Sequence, residues 1–370
     1  RFQGKDAILS GPAGGIVGMV RTAVAAGHDK VIGFDMGGTS TDVSHYAGEF
    51  ERTFDTEVAG VRMRAPMMSI HTVAAGGGSI ISFDGARLRV GPESAGANPG
   101  PASYRRGGPL ATTDANVMLG RIQPQWFPQV FGPAADQPLD RGVVQQRFEA
   151  MAVAMTAASG RPTHAEEVAA GALQIAVGSM ANAVKRISVA RGYDVTHYTL
   201  QCFGGAGGQH ACLVADALGM TRVLAHPFAG VLSAYGMGLA DQIALRETSI
   251  ELPLDAAGLA TAAQQGAALQ AQAEGELSSQ GLGASALQTR FQLQLRYAGT
   301  DTALPCPYDP AATAPEALAA LRDHFETAYR QRFAFLMPER DLVIEAANVE
   351  CTLPGVSTAA PSQAQAAVEH

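Results

Sequence analysis

The sequence predicts an α/β fold in two modules, a larger one over residues 1–245 and a smaller one over 246–355, followed by a linker-like tail over 356–370. Three observations carry that expectation. Val31–Ser44 (VIGFDMGGTSTDVS) joins two apolar runs through a two-glycine turn, the pattern of a β-hairpin. His197–Leu218 reads as a strand, a glycine turn and a helix, a common way to set a nucleotide at a helix N-terminus. Beyond residue 246 the texture shifts to long alternating strands and an Ala/Gln-rich helix, which suits an antiparallel sheet packed on helices.

The hairpin tip holds Gly37, Gly38, Thr39, Ser40 and Thr41, between Asp35 and Asp42. Glycine lets a ligand approach the backbone because no Cβ intervenes. Successive N–H and hydroxyl groups in such a turn can cradle phosphate oxygens. Asp35, at the strand end, is placed to hold a hydrated Mg2+ against them. An ordinary polar turn is the competing reading, and the full string D-x-G-G-T-x-T-D behind a buried strand favours phosphate.

Composition narrows the function classes. Hydrophobic residues make up 47% and charged ones 16%, as in a folded protein with a sizeable core. A net charge of −8 with no basic stripe argues against a nucleic-acid surface, so a small nucleotide held locally is the expected phosphate ligand. Cys202, Cys212, Cys306 and Cys351 show no zinc spacing and read as reduced thiols of a cytoplasmic protein. No apolar run approaches the roughly 18 residues of a membrane span. The chain has no initiator Met and opens inside a motif, so a fragment is expected.

In chain order, Ser10–Gly27 reads as a helix whose Gly14, Gly15 and Gly18 imply close approach by another backbone or by a ligand. A third strand, Phe50–Phe54, is expected to extend the hairpin. Gly76, Gly77, Gly78 and Ser79 form either a second anion nest or a surface turn. Strands Ile80–Phe83 and Arg87–Val90 flank an Asp84-Gly85 turn, before a long loop, Gly91–Tyr104, expected to lie over a site. Thr112–Gly120 reads as a short helix presenting Asp114 and Asn116 in its first turn, with Thr112 or Thr113 as N-cap and a capping role open for Asp114. Helices follow over Asp140–Ser159 and Thr163–Gly192. In the second, Leu173, Val177, Met180, Val184 and Ile187 mark a core face, and Lys185 and Arg186 stand near its end. The next turn, Gly204, Gly205, Ala206, Gly207 and Gly208, is not a dinucleotide fingerprint, and His210 reads as a packed histidine or a catalyst. Val223–His226 is a strand and Gly230–Asp241 a glycine-rich helix. The second module is expected to contain strands Thr248–Leu252, Thr289–Tyr297 and Leu342–Leu353 and helices near Asp255–Gln280 and Pro315–Arg332.

Eight strings in order, among them LSGPAGGIVG (9–18), GFDMGGTSTDVS (33–44), VGPESAGANPGPASY (90–104), TTDANVMLGR (112–121), CFGGAGGQHA (202–211) and GVLSAYGMGLAD (230–241), resemble the ATP-dependent hydantoinase A/5-oxoprolinase family over nearly the whole chain. QCFGGAGGQHAC leans towards its 5-oxoprolinase branch. The resemblance implies an actin/Hsp70-like (ribonuclease H-like) ATPase fold whose two lobes clasp ATP and Mg2+. It implies Asp35, Asp42 and Asp114 in catalytic roles. ATP contacts are implied at Gly37–Thr41, Gly76–Ser79, Lys185 and Gly204–Gly207, with Asp35 on the metal. It also implies a small cyclic-amide substrate, a hydantoinase B-type subunit or fused domain, and a homo- or hetero-oligomer. The family's first phosphate hairpin has no counterpart here, so the first lobe is expected to be missing. Ala334 stands where the family pattern suggests glycine. N-methylhydantoin or ketone substrates, an Hsp70-like ATP-driven binding protein, and a nucleotide-free interaction module remain as alternatives.

Overall fold

The computed structural model describes residues 10–58, 61–279 and 287–354. The chain divides into two compact units, Arg1–Gly238 and Leu239–His370.

In the first unit, helix α1 (Ser10–Ala25) leads into β1 (Lys30–Met36) and its hairpin partner β2 (Thr41–Ala47). β3 (Arg52–Val58) and β4 (Val61–Met68) follow, then β5 (His71–Val73). β6 (Ser79–Phe83) and β7 (Leu88–Ser94) form another hairpin, followed by α2 (Thr112–Met118), α3 (Arg141–Ser159) and α4 (Ala165–Ile187). β8 (Thr199–Phe203), α5 (Ala211–Leu218), β9 (Arg222–Ala225) and α6 (Leu232–Leu239) complete it. The central sheet runs β5-β2-β1-β8-β9, with β1 antiparallel to β2 and parallel to β8.

Both faces of that sheet are covered, which is why β1 is an apolar run rather than an alternating one. Ile32, Phe34 and Met36 point into a core with Met180 and Val184 of α4 and Val214 of α5. Val31 faces the other way, onto Ile16, Met19 and Val20 of α1 and Leu232 of α6. The helical periodicity of Leu173, Val177, Met180, Val184 and Ile187 is confirmed, since all five are buried. The first half of α4 serves a separate core with Ile81, Leu110, Val144 and Phe148.

The expected third hairpin strand differs. β3 begins at Arg52 and pairs with β4 in a two-stranded sheet of its own, and a Tyr46–Phe50 bridge and a His45–Glu51 contact link the hairpin to the segment leading into β3. α2 is capped from Ala111 rather than from a threonine.

The second unit holds β10 (Gln242–Pro253), α7 (Ala256–Ser279), β11 (Gln288–Tyr297), β12 (Leu304–Tyr308), α8 (Ala314–Phe333) and β13 (Leu342–Leu353). Its antiparallel sheet runs β10-β13-β11-β12. β12 escapes sequence reading because Pro305 and Pro307 interrupt it, and it sits at the sheet edge, where proline is tolerated. Ala334 caps α8 in a left-handed conformation (φ 66°), the reason glycine suits that position.

Candidate functional site

The site grows from the C-terminal end of β1. Asp35 stands directly opposite Asp42 across the β1–β2 pair, so both carboxylates lie on one face of the sheet, the face covered by α1. Asp42 accepts from the Thr72 hydroxyl at 2.6 Å. Burial, reinforced by the Asp42 charge and opposed by a hydrogen bond from Ser233, lifts the Asp35 pKa to about 6. Ser233, on α6, is a site residue that sequence reasoning passed over, although its motif GVLSAYG was noticed. What delivers it is glycine. A Cβ on Gly14 would lie 2.6 Å from Ser233 O, and one on Gly18 would lie 2.6 Å from Leu232 O. A Cβ on Gly15 would sit 3.0 Å from Ser233 Oγ and 3.5 Å from Asp35 Oδ2. The α1 glycines therefore admit both a neighbouring helix backbone and the carboxylate.

Beyond Asp35 the hairpin turns tightly, Gly37 N–H donating to Ser40 O at 3.0 Å. The N–H groups of Gly38, Thr39 and Ser40 meet no intramolecular acceptor among the described residues, and Gly38 and Thr39 are exposed. Thr41 departs from the expected ligand role. It is fully buried, and its hydroxyl is spent on Ala75 O at 2.5 Å.

The glycine turn after β8 arrives at the same edge. Ala206 N–H donates to Met36 O at 2.9 Å, and Gly204 N–H donates to Ala229 O at 3.0 Å. Gly204 is positive in φ (81°) and packs so tightly on β1 that a Cβ there would lie 2.5 Å from Met36 O. Ala206 and Gly207 turn inward and are buried, whereas Gly205 is exposed with open space around it. The hairpin and the turn, far apart in sequence, are brought together by the parallel β1–β8 pairing.

Three expected site members fall elsewhere. Gly76–Ser79 is not a second anion nest: Gly77 N–H and Gly78 N–H donate to Gly37 O and Gly38 O, Gly76 N–H to Ser79 Oγ, and Ser79 N–H to Gly76 O. With every donor used and all four residues buried, the segment buttresses the hairpin from behind. Lys185 is exposed in the last turn of α4, which hands the chain to the start of β8. The hairpin and the glycine turn follow the C-terminal ends of β1 and β8, whereas α4 precedes the start of β8. Asp114 is fully buried and accepts three backbone N–H bonds, from Ala102, Ser103 and Ala111 at 2.8–2.9 Å. It clamps the loop after β7 to α2 rather than facing a ligand, and that loop starts only after Ser94, because β7 runs beyond the expected Val90. That loop does reach the site's flank, Ala95 N–H donating to Gly78 O at 2.8 Å.

Among the described residues, no group of three or more His, Cys, Asp or Glu could hold a metal, and no helix is long and apolar enough to cross a membrane. Two facing carboxylates with one lifted pKa fit a cation that keeps most of its water or takes phosphate oxygens, as Mg2+ does.

A mixed α/β unit with a carboxylate pair and an open hairpin at one sheet edge defines a class, and relatives narrow it. Residues 1–246 match the family described as Hydantoinase/oxoprolinase, and the chain belongs to that family. It is 41% identical over 351 residues to 5-oxoprolinase 1 of Arabidopsis thaliana, covering 93% of this chain and 28% of that protein. The 5-oxoprolinase of Saccharomyces cerevisiae is 40% identical over 350 residues, 93% of this chain and 27% of that one. The caprolactamase subunit alpha of Pseudomonas jessenii is 31% identical over 383 residues, 100% of this chain and 53% of that subunit. The crystal structure of the ATP-dependent caprolactamase superposes with a TM-score of 0.80 at 29% identity, over 93% of this chain and 49% of that one. Acetone carboxylase, at 24% identity and a TM-score of 0.64, shares the fold. The chain thus spans about a quarter of the 5-oxoprolinases it matches and about half of the caprolactamase subunit.

Proposed function

We propose that residues 1–238 form the second lobe of an actin-like ATPase that drives the opening of a cyclic amide, 5-oxo-L-proline to L-glutamate. The observation that carries this reading is the meeting of the unspent hairpin N–H groups, the open Gly205 turn and the Asp35–Asp42 pair at one sheet edge. The roughly 40% identity to 5-oxoprolinases supports the substrate class.

ATP is needed because an amide carbonyl is a poor electrophile. Transfer of the γ-phosphoryl group to the carbonyl oxygen activates the carbon: water adds there, the ring C–N bond breaks with the proton passing to nitrogen, and a second water hydrolyses the resulting acyl phosphate to carboxylate and phosphate. Gly38, Thr39 and Ser40 N–H groups receive phosphate oxygens, and the backbone around Gly205 receives the adenosine. Asp35 and Asp42 would hold hydrated Mg2+, which would supply charge neutralisation at the phosphates. Ser233 keeps the Asp35 carboxylate oriented. Such positioning accounts for most catalysis of phosphoryl transfer. In this reading a first lobe completes the ATP clasp and a B-type partner completes the reaction, so residues 1–370 alone bind ATP weakly and turn nothing over.

Calorimetric titration of Mg–ATP, paired with an assay of 5-oxoproline-dependent ATP hydrolysis, tests it. The complete enzyme should bind ATP and hydrolyse it only with the cyclic amide present, preferring 5-oxoproline to caprolactam. Robust turnover by residues 1–370 alone removes the two-lobe arrangement, and absence of ATP binding by the complete enzyme removes the reading.

A further inference from the structure

Helix α2 touches the supports of both nucleotide-facing turns. At its start, the N–H and hydroxyl of Thr113 both donate to Gly77 O, each at 2.8 Å, and Gly77 N–H donates onward to Gly37 O at 3.1 Å. Three residues later, on the same side of the helix, Asn116 Nδ2 donates to Gln209 Oε1 at 3.1 Å and to His210 Nε2 at 3.3 Å. Gln209 and His210 join the glycine turn to α5. One short helix therefore bonds to the buttress of the hairpin with one side chain and to the base of the turn with another.

The turn-side joint is made of polar groups where apolar ones would pack. Asn116 and His210 are both fully buried. Because Nε2 accepts from an amide, the neutral imidazole carries its proton on Nδ1. Burial, with the Arg121 charge adding to it, lowers the His210 pKa to about 4, so the ring is neutral at pH 7. Neither His210 Nδ1 nor Asn116 Oδ1 meets a partner among the described residues. A buried polar atom left unbonded is costly, a cost that an apolar pair of the same shape avoids. Stability alone gives no reason for this choice, whereas a directional bond fixes distance and angle in a way that apolar contact does not.

We propose that Asn116 and His210 are positioning residues: with Thr113, they set the gap between the hairpin and the glycine turn so that a single nucleotide meets both. The inference rests on reading the two turns as nucleotide-facing, but the joint itself can be tested without nucleotide. Amide hydrogen exchange in the nucleotide-free protein should show Asn116→Ala and His210→Ala each speeding exchange at Gly77 and Ala206 together, by about tenfold, with β13 amides unchanged. Unchanged exchange at those two amides overturns the proposal.

The second measurement is a double-mutant cycle on the affinity of a non-hydrolysable ATP analogue for the complete enzyme. Each single substitution should weaken binding about tenfold, and the pair together no more than either alone. Multiplying effects, or a lowered melting temperature with unchanged affinity, assign the pair to structure only and overturn the proposal. If Ala variants fail to fold, Asn116→Leu fills a similar volume without the polar atoms and gives the same two readouts. Failure of the wild-type enzyme to bind the analogue counts against the proposed function, while the exchange result still decides the joint.

Discussion

Gly37–Thr41 and Gly76–Ser79 are alike in composition and touch one another, yet they do opposite things. The first keeps three backbone donors unspent and exposes its tip. The second spends all its donors internally and is buried. Glycine serves the first by leaving its outer surface bare and the second by letting two backbones meet. A Cβ at Gly76 would lie 2.6 Å from Thr39 C and 2.7 Å from Ser40 N, whereas one at Gly38 meets nothing within 4 Å. A glycine-rich string marks close approach, and whether a ligand or the chain itself approaches depends on where the N–H groups are aimed.

The contrast can be broken most severely at Asp35. Asp35→Asn in the complete enzyme should lower ATP turnover by about a hundredfold or more, about 2.7 kcal/mol of barrier, because the amide keeps the shape but loses the charge. Near-normal turnover at saturating Mg2+ and ATP would take Asp35, and the mechanistic use of the hairpin, out of the site.

Next in size is the buttress. Gly76→Ala must push the hairpin backbone aside and should cost about 2–3 kcal/mol of stability, measured by denaturant unfolding. Gly38→Ala should stay within about 0.5 kcal/mol in the same experiment and act on nucleotide affinity instead. Equal stability losses at the two positions would erase the distinction between them.

A smaller effect separates charge from shape. A carboxyl whose pKa is lifted from 3.8 to about 6 is penalised when ionised. The penalty is absent below about pH 4 and complete above about pH 6. Asp35→Asn should therefore stabilise the metal-free protein by about 1 kcal/mol at pH 7–8, allowing for partial exposure, and by nothing measurable at pH 4. Equal stability changes at both pH values would mean that Asp35 feels neither burial nor Asp42.

The smallest effect is the converse case, a position that wants glycine and lacks it. Ala334→Gly should raise stability by about 0.5 kcal/mol, since Ala334 is held at φ 66°. Thermal melting checks it, and a destabilised variant would show that Ala334 contributes packing that outweighs its backbone conformation.

Local patterns carried much of this architecture. The β1–β2 turn, the β8–turn–α5 unit and the apolar stripe of α4 are each written within a few residues of each other, so periodicity and turn chemistry reveal them. What stayed hidden depends on contacts between distant segments. Nothing in GGGS tells that its donors will meet Gly37 O and Gly38 O, some forty positions earlier. Lys185 looks suited to a nucleotide, yet it stands exposed in the last turn of α4, the helix that precedes the start of β8. Ser233 is one hydroxyl in an apolar helix, and only the glycine faces of α1 and α6 show that it reaches Asp35.

The parallel pairing of β1 with β8 also sets a schedule for the chain as it is made. Val31 finds its partner at Thr199, so the β1 edge stays unpaired until the intervening polypeptide has been synthesised, roughly 10–30 s at ordinary translation rates. Through that interval β1, apolar on both faces, presents an open strand edge of the kind that recruits other chains. The edge where the hairpin meets the glycine turn is thus among the last features this unit can acquire, and it forms as the open edge of β1 closes.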